Sequence, residues 1–143
     1  MKRDEEGSIL PLTIFYGFLS LALILTVVAA TSLYLERKRL FTVADGAALV
    51  GAEAFELDQV TASSDRSLEI NLESNDVDAA VREYLRTRPN DELEGLKVVR
   101  AISVDGRSAT VELRAYWRPP VVSVLLPDGF PIEVTAVARS VFK

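Results

Sequence analysis

With 143 residues, 16 basic side chains, 21 acidic ones and a net charge of −5, the chain has room for one modest domain and no basic surface for nucleic acid. It contains no cysteine and no histidine, which excludes disulfides, thiolate nucleophiles, Ser-His-Asp and Cys-His catalysis, and His-ligated metals. The acidic residues form no recognisable paired-carboxylate motif, so no enzyme, no cofactor, no metal site and no small-molecule substrate is expected.

Residues 1–7, Met1-Lys2-Arg3-Asp4-Glu5-Glu6-Gly7, are a charged leader. From Ser8 to Leu35 no side chain is charged at neutral pH. A bilayer core about 30 Å thick needs about 20 helical residues, so residues 8–35 are predicted to form a transmembrane helix in contact with membrane lipid. Pro11 falls in its first turn, where the missing amide proton costs least. Tyr16 and Tyr34 are placed toward the two interfaces as aromatic anchors. Val28-Ala29-Ala30 resembles a signal-peptidase site, but the apolar run exceeds the roughly 7 to 15 residues of a signal core and the leader is acidic. Lys2 and Arg3 flank one end of the run, and Arg37, Lys38 and Arg39 flank the other. That count of bases favours a cytoplasmic carboxy-terminal side.

Residues 36–56 are predicted to continue the helix outside the membrane, because Leu40, Ala44, Ala47, Ala48, Gly51 and Phe55 recur at spacings of three and four. This face is small enough for another backbone to approach closely. It is a helix-packing interface, either for the chain's own sheet or for a partner protein, and the spacing leaves both readings open. Gly46 and Gly51 weaken the helix locally by about 1 kcal/mol each, which allows a kink there. Asp45 is the one charge beside the small face, facing water or pairing with Arg39 or a neighbouring subunit.

Residues 57–66 are polar and aperiodic, a connector to a small domain over residues 67–143. Leu68, Ile70 and Leu72 alternate with polar residues as in a half-exposed strand. Ser74-Asn75-Asp76 offers capping oxygens for a helix whose apolar face is Val77, Ala80, Val81, Tyr84 and Leu85 and which ends before Pro89. Residues 96–104 and 109–117 flank Asp105-Gly106, a hairpin signal, and Ala109, Val111, Leu113, Ala115 and Trp117 share one face. Trp117 is read as a core residue in that phase. After Pro119-Pro120 comes an apolar run with Val121, Val122, Val124, Leu125 and Leu126, read either as an exposed contact loop or as a buried segment. A last strand over 132–141 points Ile132, Val134, Ala136 and Ala138 inward. The expected fold is α+β: a long amino-terminal transmembrane helix extending outside the membrane, then a small antiparallel sheet with one packed helix. A domain this small is marginal alone, so a homo- or hetero-oligomer is expected. Acids dominate residues 45–94 and bases residues 95–143, which suits a solvated surface or head-to-tail docking.

The charged leader ending in Gly7, the abrupt apolar helix from Ser8 and the stretch Arg37-Lys38-Arg39-Leu40-Phe41-Thr42-Val43-Ala44-Asp45-Gly46-Ala47-Ala48-Leu49-Val50-Gly51-Ala52 resemble the amino-terminal region of TadE/TadG-like proteins. These are pilin-like components of the tight-adherence (Flp, type IVc) pilus machinery, and the likeness is greatest to the actinobacterial versions. The resemblance covers residues 3 to 56. It implies a pilin-like outline, an extracytoplasmic carboxy-terminal domain against the count of flanking bases, other pilin-like or Tad secretion proteins as partners, and prepilin-type processing between Gly7 and Ser8. Counting from Ser8, the glutamate typical of processed members is replaced by Leu12, after Pro11. That departure suits a minor, tip or membrane-resident role better than a shaft subunit.

Two functions are expected to compete: a minor pilin-like subunit or assembly component of such a pilus, and a membrane-tethered extracytoplasmic binding module unrelated to pili.

Overall fold

The computed structural model describes residues 9–54, 72–88, 93–120, 123 and 127–139. Its longest element is helix α1 (Ile9–Ala52), 44 residues and so about 66 Å long at about 1.5 Å per residue. Pro11 stands in its first turn, and the helix runs without interruption through Gly17, Gly46 and Gly51. In the apolar half, the hydroxyls of Thr13, Thr26 and Thr31 donate to the carbonyls of Ile9, Ala22 and Val27 at 2.9, 2.8 and 2.9 Å. These side chains thus satisfy their own donors without water, as a helix in lipid requires. After Ala52, Glu53 N still donates to Leu49 O at 3.2 Å, and Ala54 N donates to Gly51 O at 3.3 Å as the helix tightens to its end.

Helix α2 (Ser74–Thr87) is amphipathic and buries Val77, Val81 and Leu85. Strands β1 (Lys97–Ile102), β2 (Ser108–Trp117) and β3 (Phe130–Arg139) form an antiparallel sheet in the order β1-β2-β3. The β2–β3 ladder runs from Ser108 opposite Arg139 to Trp117 opposite Phe130, and β1 carries an irregularity between Val98 and Arg100. Gly106 closes the β1–β2 turn at φ 67°, a left-handed conformation that glycine adopts without a Cβ penalty.

One face of the sheet is covered by α1 and α2. Ala109, Val111, Leu113 and Ala115 of β2 are fully enclosed, with Val134, Ala136 and Ala138 of β3 and Ala101 of β1 beside them. The other face is polar: Arg100 donates to Glu112 at 3.1 Å, and Arg114 pairs with Glu133 across β2 and β3. This one-sided cover explains the strict alternation along β2. The architecture is α+β.

Three local expectations come out differently. Ser74 does not cap α2, whose N-cap is Glu73 without a side-chain hydrogen bond. Its hydroxyl instead donates to Ser103 O and accepts from Ser103 N, both at 3.1 Å, tying α2 to the end of β1. β3 begins at Phe130, two residues earlier than its hydrophobic alternation suggests. Leu72 is buried but stands outside any strand, its N–H donating to Gly106 O at 2.9 Å. The rest of the strand expected around residues 68–72 and the connector 57–66 lie outside the described residues.

Candidate membrane and docking surfaces

Among the described residues, no other element encloses the amino-terminal half of α1. Ile9, Leu10, Ile14, Phe15, Phe18 and Leu23 stand on all sides of the helix and are exposed, Phe18 to 72%. Apolar side chains all round a helix require an apolar surrounding rather than a one-sided core, and this segment is long and apolar enough to cross a membrane. Tyr16 and Tyr34 are both exposed near its two ends.

From Leu40 onward the same helix becomes a core element. Leu40, Ala44, Ala47, Ala48 and Gly51 are buried against the sheet and α2. Gly51 marks the closest approach: a Cβ there would lie 3.1 Å from Val77 Cγ1, 3.2 Å from Ala109 Cβ and 3.3 Å from Val81 Cγ2. At Gly46 the Tyr84 hydroxyl occupies the space that a side chain would take. The small face is therefore filled by the chain itself. Asp45 is on the opposite, exposed side, between Phe41 and Leu49, each four residues away and half-exposed. Arg39 lies 3.9 Å from Glu36 rather than beside Asp45. Phe55 is outside the described residues, as are Gly7 and Ser8 and the contact-loop residues Val121, Val122, Val124, Leu125 and Leu126.

The two halves of α1 meet at Ser32. Trp117, at the end of β2, donates its indole N–H to Ser32 Oγ at 3.2 Å and stacks at a tilt on Phe130, ring centroids 6.2 Å apart. Trp117 is thus half-buried at the rim of the core rather than inside it, because its N–H needs an acceptor and finds one on the helix. Only alternation was available to place it, and alternation carries no information about rim or centre. Alongside, a groove of about 560 Å³ follows β3, with Arg37, Lys38 and Phe41 on the helix side and Glu112 and Glu133 on the sheet side. Its charges are mixed, and among the described residues no group of three or more acidic side chains converges on one point.

An exposed apolar helix running unbroken into a core segment of small residues is the arrangement that carries the comparison. Residues 7–54 match the family model of putative Flp pilus-assembly TadE/G-like proteins. The TadE/G-like segment takes in all of α1, apolar and packed halves together, and ends two residues past it; α2 and the sheet lie beyond the matched span. No curated protein and no solved structure matches the chain. The matched span covers 48 of the 143 residues and contains the one candidate transmembrane helix among the described residues.

Proposed function

We propose that this chain is a pilin-like minor subunit or assembly component of a tight-adherence (type IVc) pilus, held in the cytoplasmic membrane by α1 with its sheet domain on the extracytoplasmic side. The observation that carries this reading is the coincidence of the TadE/G-like span with one helix that is bare and apolar at one end and built into a core at the other. Such a helix makes a membrane anchor and a domain scaffold in one piece, so a pull on the domain is transmitted to the anchor without a flexible joint.

Docking on other pilin-like or Tad proteins, or on further copies of the chain, would use the outer face of α1. The inner face is already occupied by the sheet, and Phe41, Asp45 and Leu49 form the exposed row. Leu12 supports a minor or membrane-resident role, since it offers no carboxylate to the amino terminus of a neighbouring subunit. Gly7–Ser8 processing belongs to the same proposal, and amino-terminal sequencing of the membrane form reads it directly: Ser8 for processing, Met1 for a retained leader.

The test is a clean deletion complemented with variants. Loss of surface pili, restored by the natural chain but not by one in which residues 9–52 are exchanged for an unrelated helix of equal length, is the expected result. Unchanged piliation in the deletion strain would overturn the proposal. A protease-protection assay on intact cells decides the side of the membrane.

A further inference from the structure

β2 runs along α1 in the opposite direction. Its start, Ala109, faces Gly51, and its end, Trp117, reaches Ser32. The two paths agree in length: nineteen helical residues span about 28 Å and eight strand residues about 26 Å. The hairpin formed by β2 and β3 therefore points back toward the bare apolar half of the helix, with Trp117 and Phe130 paired at that end.

The level of that end relative to a bilayer is fixed by the helix. If about 20 residues from Ile9 cross the hydrocarbon core, the core ends near Val28, and Ser32 lies about 6 Å beyond it. Sliding the helix until the core ends at Leu35 brings Ser32 about 5 Å inside. Across that range Trp117 stays within about 6 Å of the boundary between the hydrocarbon core and the headgroup layer, the level at which aromatic rings with one polar atom are favoured. Three elements bring aromatic rings to this level: Tyr34 of α1, exposed; Trp117 of β2, half-buried; and Phe130 of β3, 46% exposed.

We propose that the Trp117–Phe130 end of the sheet is a second membrane contact, resting on the phospholipid interface beside the helix and holding the domain at a set tilt. This rests on the reading that α1 spans the bilayer. A domain held at two points presents Phe41, Asp45 and Leu49 in one direction instead of swivelling about the helix.

Trp117 is the only tryptophan and the chain has no cysteine, so both probes needed are site-specific. The full chain is reconstituted in phosphatidylcholine–phosphatidylglycerol vesicles, and flotation shows first whether it is inserted. Trp117 emission is then quenched with phospholipids brominated near the carboxyl or the methyl end of the acyl chain, and with aqueous acrylamide. Separately, Ser123→Cys and Val104→Cys are labelled with a polarity-sensitive fluorophore, Val104 being 80% exposed at the far end of the sheet. The expected result is quenching of Trp117 roughly twofold stronger by the shallow than by the deep bromolipid, with lipid quenching of the Ser123 probe but not of the Val104 probe. Phe130→Asp, at an exposed position, is expected to weaken the shallow quenching while leaving flotation unchanged. A floating protein whose Trp117 is open to acrylamide and indifferent to bromolipid, or whose Ser123 and Val104 probes behave alike, overturns this contact and leaves the spanning helix standing. A chain that does not float overturns the spanning helix itself.

Discussion

Gly51 is where the small face of α1 becomes a physical requirement. The three atoms that a Cβ would meet at 3.1 to 3.3 Å belong to α2 and β2, so Gly51→Val must push both elements off the helix. Overpacking of this kind costs about 1 to 3 kcal/mol. Urea unfolding in detergent micelles, followed by Trp117 emission, should show that loss. Asp105 illustrates a second residue-scale constraint. It accepts hydrogen bonds from the Ser108 hydroxyl at 2.7 Å and from the Arg107 and Ser108 amides at 3.0 and 2.7 Å. These bonds, the Ser108 hydroxyl foremost, lower its pKa from 3.8 to about 2. Because the folded value is depressed, the turn's contribution to stability is complete above about pH 3.8 and disappears as the pH falls through about 2. Ser108→Ala should move the Asp105 midpoint back toward its ordinary value in a carboxyl-detected NMR titration.

At the scale of elements, α2 and the strands were legible because their hydrophobic periods are clean. Val77, Val81 and Leu85 mark α2, and Ala109, Val111, Leu113 and Ala115 mark β2, all buried where their spacing places them. Leu113 is fully enclosed between α1 and the sheet, and Leu113→Ala should destabilise the domain by about 2 to 5 kcal/mol in the same unfolding assay. What periodicity could not convey is which polar group would satisfy which partner. Ser74 has the chemistry of a cap and is used as a cross-link to Ser103, because the end of β1 lies within reach and competes for the same hydroxyl. Trp117 alternates like a core residue and sits at the rim, because its indole is bonded to Ser32, distant in sequence. The small face of α1 was equally legible as a face, yet its occupant was not: Ala and Gly at spacings of three and four permit close approach by any backbone, and only the fold shows that Val77, Val81 and Ala109 take the space. The pairs on α2, Arg82 with Asp78 at 2.7 Å and Arg86 with Glu83 at 2.9 Å, lie on its solvent side, where water and salt screen them and they contribute little to stability.

For the whole molecule, α1 combines two energetic regimes in one rod. Its bare half gains free energy only in an apolar medium, while its packed half contributes the floor of the core. Dividing the chain between them should therefore separate the two properties. Residues 29–143 keep Ser32 for Trp117 together with the entire buried face of α1. This piece is expected to be soluble without detergent and to unfold cooperatively, as read by urea titration of Trp117 emission. The resemblance to TadE/G-like proteins was legible from the order of leader, apolar run and basic Ala-Gly segment; the apolar run and the basic Ala-Gly segment lie in the matched span, which begins at the last residue of the leader.

The central claim is that the intact chain resides in a membrane through α1, and alkaline carbonate extraction of membranes carrying the full-length protein tests it most directly. Full-length chain retained in the membrane pellet, and released only by detergent, is the expected result. Intact, unclipped chain recovered as a monomer in the carbonate supernatant would contradict it.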